Sequence, residues 1–414
     1  MNKQKGGCMK LQEWRDEISK YFPDYVVPAE LALSLIAELR INDISNPLGI
    51  IFVGNPSSGK TTVLEFFMGC EGLVYRSDHF TAASFVSGAA KVPNEKLGDI
   101  DLLPKLKNKA FIVPDLSPLF GKSNERLKED LGVLTRVFDG QGYTRDTGVH
   151  GQRGYPDPLL FMMLAATTPF RQEVLELIGQ CGSRLLFYNF PTNYLTSSEI
   201  ARELTDDVSY GMKLKKCREV TKSFVKELWK GEKVRWNKKD DPINIVKKIS
   251  DIANLCIQLR AIIEVEFEDQ FQPTLRVKPE GSLRIANSLY NIARGHALIS
   301  GRSSLTEEEL PIVFGLVLDS APSERVKILL KLFHNNGEII TSDVEKALRC
   351  TKPTAIRKIH EMRILGILSK VNPVTDGVGR KEGTYQISEN YSWLLGLRGQ
   401  YLFQTYTTSK NLIN

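Results

Sequence analysis

One octet of the chain has the residue types and the spacing of a phosphate-binding loop, the pattern G-x-x-x-x-G-K-[ST]. The octet reads Gly54-Asn55-Pro56-Ser57-Ser58-Gly59-Lys60-Thr61, and Thr62 follows it. In such a loop, glycines let backbone N–H groups close around phosphate oxygens, the lysine reaches the β- and γ-phosphates, and the last hydroxyl ligates Mg²⁺. The spacing therefore predicts a nucleoside triphosphate site in which Lys60 binds phosphate and Thr61 binds the metal.

Hydrolysis of a bound triphosphate requires an acid, a polar group that senses the γ-phosphate, and a positive charge that stabilises the transition state. The candidates are Asp115, Thr168 and Arg184, each next to a predicted strand. Pro114 stands where one of two adjacent acids is usual, so Asp115 could serve either the metal or the attacking water. Asp78, after another predicted strand, is an alternative carboxylate. Taken singly, each could also be an ordinary turn or surface residue.

The elements that must position these residues form an alternating pattern of apolar and helical segments. This pattern predicts an α/β core with a parallel sheet covered by helices on both faces. The predicted strands are 48–53, 72–78, 109–115, 159–166 and 185–190. Helical periodicity predicts helices at 10–21, 29–40 and 124–138. Glycines that flank Tyr143-Thr144 and Gln152-Arg153 predict a projecting hairpin over 140–155.

The second half of the chain is predicted to be mainly helical up to residue 319. Its predicted helices are 207–229, 243–260, 280–299 and 306–319, with a two-stranded insertion at 262–267 and 273–277. The basic run 230–239 is predicted to be a solvated loop. From residue 323, three short helices (324–334, 341–349 and 354–365) precede two strands (366–371 and 383–387). Three helices followed by a hairpin predict a winged helix-turn-helix.

Composition excludes several classes of protein. With 414 residues, 42% of them hydrophobic, the chain can bury a large core, and its length predicts two to four domains. No apolar run is long enough for a transmembrane helix, and the N-terminal segment does not read as a signal peptide, so we expect no membrane partner and a cytoplasmic location. The 6 cysteines lack C-x-x-C spacing and the 5 histidines do not cluster with them, which argues against a zinc site or a disulfide framework.

The net charge of +6 is concentrated in one part of the chain. From residue 323 onwards there are 14 Lys and Arg against 8 Asp and Glu, whereas the remainder has equal numbers of each sign. Such an asymmetry is typical of a nucleic-acid-binding appendage on a neutral core, although a surplus of this size is also common on ordinary surfaces.

Together these features resemble the AAA+ ATPases, and within them the branch with a pre-sensor hairpin that includes the minichromosome-maintenance-type helicases. Three further motifs carry the resemblance. Ala166-Thr167-Thr168-Pro169 is similar to the sensor 1 segment, Ser183-Arg184 to the arginine finger, and Ser282-Leu283-Arg284-Ile285-Ala286 to the sensor 2 helix. The resemblance covers about residues 45–320. The layout also resembles replication helicases of mobile elements, in which an ATPase core carries a winged helix directly.

The resemblance implies a P-loop NTPase core with a helical lid, and it implies domain boundaries. These are an N-terminal helical segment (1–44), an AAA+ core (45–194), a helical lid (195–321) and a winged-helix domain (322–414). ATP and Mg²⁺ would be bound, with Thr61 and Asp115 at the metal and Arg284 at the γ-phosphate. A ring, most often a hexamer, would let Arg184 complete the site of a neighbouring subunit.

The resemblance also implies contacts with single-stranded or forked DNA. The hairpin would face the central channel, and the winged helix would contact DNA. The implied contact residues are Arg145, His150 and Arg153 in the hairpin, Lys352, Thr354, Arg357 and Lys358 on the recognition helix, and Arg380 and Lys381 on the wing. Alternatively, the hairpin packs on the next subunit, and the winged helix binds protein, as many do.

Three functions are compatible with these features. The first is an ATP-driven DNA translocase or helicase. The second is an ATP-regulated DNA-binding switch or loader that displaces no strand. The third is a remodelling ATPase that does not act on nucleic acid, which leaves the basic C-terminal segment without an explanation.

Overall fold

The computed structural model describes residues 9–88, 92–148, 151–179, 181–191, 196–269, 272–371, 383–410 and 412. The chain divides into two compact units. The first contains Met1–Ile245 and Tyr290–Glu309, and the second contains Val246–Leu289 and Leu310–Asn414. Among the described residues, none of the helices combines the length and the apolar composition that crossing a bilayer requires.

Helices and strands alternate through the first unit. Its strands are β1 (Leu48–Val53), β2 (Val74–Arg76), β3 (Ala110–Val113), β4 (Tyr143–Thr147), β5 (Gly151–Tyr155), β6 (Met162–Thr167) and β7 (Leu185–Asn189). Its helices are α1 (Leu11–Tyr21), α2 (Val26–Ala37), α3 (Lys60–Glu65), α4 (Asn94–Ile100), α5 (Leu102–Leu106), α6 (Ser117–Phe120), α7 (Asn124–Val137), α8 (Gln172–Gly179), α9 (Ser197–Leu204) and α10 (Tyr210–Leu228).

Five of these strands form one parallel sheet in the order β2-β3-β6-β1-β7, which confirms the predicted α/β core. All 6 residues of β1 are buried, because helices cover both faces of the strand. From β1 the chain proceeds to β2 on one side of the sheet, and from β6 it proceeds to β7 on the other. In open parallel sheets, ligands bind at the carboxyl ends of the strands where the direction reverses. This places the expected ligand site at the carboxyl ends of β1 and β6.

Some element bounds differ from the predicted ones for local reasons. The helix predicted at 29–40 begins at Val26 and includes Pro28 in its first turn, where the missing N–H would have no helical partner in any case. The strand predicted at 72–78 is a 3-residue edge strand. The short helices α4, α5 and α6 and the helix α8 are absent from the predictions, because segments of this length carry little periodicity.

The basic run 230–239 is a largely exposed loop, as predicted, and its backbone is anchored by Arg40. The buried Arg40 guanidinium donates hydrogen bonds to the carbonyl oxygens of Lys230, Gly231 and Glu232. Trp236 is 8% exposed and donates from Nε1 to the Asp241 carboxylate at 2.9 Å. The basic side chains of the run are exposed, and Lys230 and Lys238 form surface ion pairs with Glu227 and Asp43.

The second unit contains a helical part and a small antiparallel sheet. Helices α11 (Ile243–Arg260) and α12 (Ser282–Ile299) have residues in both units, and the remaining elements are β8 (Ile262–Asp269), β9 (Gln272–Lys278), α13 (Leu310–Asp319), α14 (Ser323–His334), β10 (Glu338–Ile340), α15 (Thr341–Leu348), α16 (Lys352–Ile364), β11 (Leu368–Lys370), β12 (Thr384–Ile387) and α17 (Leu397–Ser409). The small sheet has the order β10-β12-β11. Strand β10 and helix α17 are absent from the predictions.

Helix α17 packs on α13 through a buried polar contact. The Lys410 ammonium, which follows α17, lies 2.6 Å from the Asp319 carboxylate at the end of α13, and the Tyr406 hydroxyl donates to the same carboxylate at 3.0 Å. Phe403 stacks on Phe333 with ring centroids 4.3 Å apart. The chain after residue 323 therefore shares a core with α13, so the compact units divide at other points than the predicted domain boundaries.

A buried ionic network joins α2 to the part of the first unit that follows Tyr290. The His296 imidazole lies 2.7 Å from Glu30 and 3.1 Å from Glu309, and Arg15 and Arg302 pair with these two carboxylates in turn. Burial alone would lower the pKa of His296, but the hydrogen bonds to Glu30 and Glu309 outweigh burial and raise the pKa above the ordinary value of 6.5. Burial would raise the pKa of both carboxyl groups, but the hydrogen bonds from His296 hold these pKa values below 4.5.

These shifts define a pH window for the network. A raised imidazole pKa contributes stability that is complete below pH 6.5 and is lost as the pH rises through the folded-state pKa, whereas the carboxylate contributions are lost as the pH falls below 4.5.

We expect His296→Gln to lower the free energy of unfolding by about 3 kcal/mol near pH 6 and to flatten the alkaline loss of stability. Unfolding midpoints measured from pH 5 to pH 9 test this. The exposed His79→Gln in the same unit is the control, and an unchanged alkaline slope in His296→Gln would contradict the assignment.

Candidate functional site

The predicted phosphate-binding loop lies between β1 and α3, as the motif requires. The Gly54 N–H donates to the carbonyl oxygen of Thr167 at 3.2 Å, which joins the start of the loop to the end of β6. Gly59, immediately before α3, has φ +91°, a backbone conformation that favours glycine, and Ser57 has φ +63°. The loop therefore follows the central strand and leads directly into a helix N-terminus, the arrangement that suits phosphate oxygens.

Lys60 is held over the loop by backbone and side-chain acceptors. Its Nζ donates to the carbonyl oxygens of Gly54 at 2.7 Å and Asn55 at 2.6 Å, and to Ser58 Oγ at 3.2 Å. The residue is 8% exposed, and this burial lowers the pKa of its ammonium, whereas the Asp115 carboxylate acts in the opposite direction. The structure thus brings the predicted cation and the predicted acid close enough to interact electrostatically.

A cluster of hydroxyls joins the carboxyl ends of β3 and β6. Ser117 donates its backbone N–H to Asp115 Oδ1 at 2.8 Å, and its Oγ lies 3.4 Å from the hydroxyls of Thr167 and Thr168. Ser117 is absent from the predicted site. Its position two residues after an aspartate is the signal that could have identified it, because an aspartate commonly accepts a hydrogen bond from the N–H two residues on.

The alternative carboxylate, Asp78, lies elsewhere in the sheet. It follows β2, which is three positions from β1, or about 14 Å at the usual strand spacing. It also pairs with Arg76 at 2.9 Å. Asp115 is therefore the better placed of the two acids.

Thr61 and Asp115 are suitable ligands for Mg²⁺. Both side chains are exposed at the carboxyl edge of the sheet, and hydroxyl and carboxylate oxygens are the donors that this ion prefers. Among the described residues, no group of three or more His, Cys, Asp or Glu forms a metal site.

Aromatic side chains surround the start of α3. The Tyr25 ring packs so closely on Gly59 that a Cβ at that position would lie 2.1 Å from its Cζ, and Phe22 stacks on Tyr25 with centroids 5.5 Å apart. The Tyr210 hydroxyl lies 2.8 Å from Thr62 Oγ1. These aromatic residues are also absent from the predicted site. They come from segments far apart in the sequence, so no local pattern signals them.

Arg184 lies at the amino ends of the strands, whereas the phosphate loop lies at their carboxyl ends. It directly precedes β7, and Leu185 pairs with Gly49 in a parallel register, so about five residues of strand, or roughly 16 Å, separate it from Gly54. Its guanidinium donates to Asp139 Oδ1 at 2.7 and 3.0 Å and to the Cys181 carbonyl oxygen at 3.0 Å. The structure does not bring Arg184 to the site of its own chain.

The predicted sensor residues fall in different compact units. Thr168 is exposed immediately after β6, close to Ser117 as described above. Arg284 belongs to the second unit, where it is half-buried in the first turn of α12.

The arginines of the hairpin β4–β5 bind the segment that precedes α5. Arg145 donates to the Val86 carbonyl oxygen at 3.2 Å, and Arg153 donates to the Ser87 carbonyl oxygen and pairs with the Asp101 carboxylate at 2.7 Å. Asp101 is fully buried and also accepts from the Tyr155 hydroxyl at 2.8 Å. Both predicted DNA-contacting guanidiniums thus have protein acceptors in this conformation, and His150 lies outside the described residues.

The predicted DNA-contacting residues of α16 differ in their surroundings. Lys352 and Arg357 are exposed, and Thr354 is half-buried with its hydroxyl 3.2 Å from that of Thr351. Lys358 pairs with acidic neighbours. Arg380 and Lys381 lie outside the described residues.

Comparison with known proteins identifies no family for this chain. No family model matches it, and no curated protein matches it. Among the solved structures that match is the crystal structure of a "putative ATPase" from Cytophaga hutchinsonii ATCC 33406, with a TM-score of 0.39 and 12% sequence identity, covering 75% of this chain and 87% of that one.

The Asp101 cluster leads to a prediction about the hairpin. Asp101→Asn removes the buried charge that faces Arg153, and we expect it to lower the free energy of unfolding by about 3 kcal/mol. We also expect faster hydrogen exchange at the backbone amides of β4 and β5, which exchange measured by mass spectrometry would detect. The exposed Asp146→Asn in the same hairpin is the matched control. If exchange in the hairpin is the same in both variants, Asp101 does not hold the hairpin in place.

Proposed function

We propose that this protein is an ATP-hydrolysing AAA+ motor that acts on DNA, most simply as a ring-forming helicase or translocase. The observation that carries the proposal is the phosphate loop at the carboxyl end of the central strand, with Lys60 and Asp115 close enough to interact. A buried lysine ammonium beside an exposed carboxylate, in front of a helix N-terminus, matches the charge distribution that a metal-bound triphosphate requires.

The residues of the site have distinct roles in this proposal. Backbone N–H groups of the loop and the Lys60 ammonium bind the β- and γ-phosphates. Asp115 and Thr168, linked through Ser117, orient a water molecule towards the γ-phosphorus. Attack by this water breaks the bond to the leaving ADP oxygen and yields inorganic phosphate. Mg²⁺, held by Thr61 and Asp115, would neutralise phosphate charge when bound.

A neighbouring subunit would supply the positive charge that the site of one chain lacks. Because β7 is parallel to β1, Arg184 at the amino end of β7 lies far from the phosphate loop of its own chain. A heterologous, ring-forming interface joins one surface of a subunit to a different surface of the next subunit. An arginine at that edge can then stabilise the transition state in the adjacent subunit.

Two features of the second unit support action on DNA. The order α14, β10, α15, α16, β11, β12, with an antiparallel sheet β10-β12-β11, is the order of elements expected for a winged helix. The excess of positive charge also lies in this part of the chain. The alternative function, an ATP-regulated DNA-binding switch or loader, uses the same site, and the occupied hairpin arginines favour it over a motor whose hairpins track a strand.

Substitutions in the site separate binding from hydrolysis. We expect Lys60→Ala to reduce ATP turnover by about a hundredfold or more, because it removes a phosphate-binding cation. Ser117→Ala should reduce turnover by about tenfold with little change in nucleotide affinity, because it removes the hydroxyl that contacts Thr168 and keeps the backbone N–H that binds Asp115. Turnover and nucleotide binding are measured with and without single-stranded DNA. Stimulation by DNA favours the motor, whereas wild-type turnover in Lys60→Ala would refute the proposal.

A mixing experiment tests the site between subunits. Lys60→Ala and Arg184→Ala should each be inactive, but an equal mixture should regain turnover, because about a quarter of the interfaces then combine an intact Lys60 with an intact Arg184. Asp139→Ala is the control, since it breaks the ion pair of Arg184 and keeps the guanidinium. If the mixture is as inactive as its components while both variants form rings, Arg184 does not act in trans.

A further inference from the structure

Three aromatic side chains from two distant segments meet at the phosphate loop. Phe22 and Tyr25 lie in the short segment between α1 and α2, and Tyr210 is the first residue of α10. The Phe22 ring stacks on Tyr25 with centroids 5.5 Å apart and an interplanar angle of 11°, and it packs on Tyr210 in a T-shaped arrangement at 5.9 Å. Phe22 therefore links the two tyrosines into one group, which we call the aromatic cluster.

Tyr25 occupies space that a glycine of the loop leaves open. A Cβ built on Gly59 would lie 2.1 Å from Cζ and 2.5 Å from Cε1 of the Tyr25 ring. Glycine at this place in a phosphate loop has no Cβ, which lets the backbone approach phosphate oxygens closely. In this structure the ring of Tyr25 fills the space in front of the Gly59 Cα. A phosphate group that approaches this side of the loop therefore meets the ring first.

The polar groups that the motif directs to a nucleotide also have partners within the chain. The Tyr210 hydroxyl lies 2.8 Å from Oγ1 of Thr62, the second threonine after Lys60. The Lys60 ammonium has three N–H donors, and three protein oxygens accept from it, namely two loop carbonyl oxygens and the Ser58 hydroxyl. In this conformation the loop is thus satisfied by its own chain and covered by Tyr25.

We propose that the aromatic cluster is an autoinhibitory latch, in which Tyr25 must leave Gly59 and Tyr210 must release Thr62 before a nucleotide with Mg²⁺ binds. The inference rests on the proposed nucleotide-binding function and adds its regulation. Both tyrosines lie at the ends of elements, where small backbone rotations displace a side chain. Tyr25 ends a one-turn 3-10 helix (Pro23–Tyr25), and Tyr210 begins α10.

The latch lowers the apparent affinity of the site for nucleotide. When only a fraction of the molecules has an open site, the apparent Kd equals the intrinsic Kd divided by that fraction. Removal of the ring that blocks the loop should therefore tighten binding. A ring that instead supported the bound nucleotide would have the opposite effect, so the direction of the change in Kd decides between the two roles.

The test is binding of a fluorescent ADP analogue with Mg²⁺ to the full-length chain, with Kd from titration and the association rate from stopped-flow mixing. Tyr25→Ala should lower Kd by about five- to tenfold and raise the association rate, because the loop is no longer covered. Tyr25→Phe should keep Kd within about twofold of the wild-type value, since ring carbons make the contact with Gly59. Tyr210→Phe should lower Kd by about two- to threefold, because it removes the hydrogen bond to Thr62.

The matched control is Tyr21→Ala, which removes a tyrosine from the same part of the chain whose ring faces the Lys20 ammonium. Its Kd should equal that of the wild type. Hydrogen exchange of the wild type is a second measurement, which does not depend on the folding of any variant. With saturating ADP and Mg²⁺, the backbone amides of residues 22–26 and 210–213 should exchange faster than without nucleotide, because the latch is open.

Three results would overturn the latch. They are a higher Kd in Tyr25→Ala, an unchanged Kd in that variant, and slower exchange in both segments when ADP binds. In each of these cases nucleotide binding is itself observed, so the proposed function stands while the latch fails. If neither the wild type nor Tyr25→Ala binds nucleotide, the latch and the proposed function fail together.

Discussion

The parallel pairing of β1 with β6 and β7 is the constraint on which the candidate site depends. Because parallel strands end at the same edge, pairing places Gly54 beside Thr167 and brings Asp115 and Thr168 to the same side as Lys60. The same register places Arg184 at the amino end of β7, about one strand length from the phosphate loop. One geometric rule thus brings Lys60, Asp115 and Thr168 to one end of the strands and places Arg184 at the other end.

Acidic neighbours decide which cations are available for a ligand. Asp101 neutralises Arg153, Asp139 binds Arg184, and Glu324 binds Lys358. A buried charge without a partner is costly, so Asp101 restrains Arg153 most, whereas the partly exposed pairs of Arg184 and Lys358 restrain their side chains less. By contrast, within the described part of the chain Arg357 and Arg363 on the outward face of α16 have no ion-pair partner. The distribution of acidic partners therefore separates restrained arginines and lysines from those exposed to solvent.

Much of the core could be predicted from local patterns. The strands at 48–53 and 185–190 and the helix before the hairpin agree closely with β1, β7 and α7, since each has a strong apolar period. The phosphate loop is a local motif, so its residues follow from spacing alone. Ser117 and Tyr25 could not be found in this way, because they act with residues that only the sheet and the helix packing bring near. Helix α17 has an irregular pattern, and its buried face is defined by α13.

By itself, the sequence determined the phosphate-binding octet, the α/β order of the core and the basic bias of the C-terminal segment, because each is a property of neighbouring residues or of composition. The tertiary structure alone decided which charges meet. It paired Arg153 with Asp101 across 52 positions, joined Ser117 to Thr168 across 51, and turned Lys358 inwards while His360 and Arg363 face outwards. Which side chains pair depends on their burial and on partners far away in the sequence. The separation of two residues along the chain determines neither.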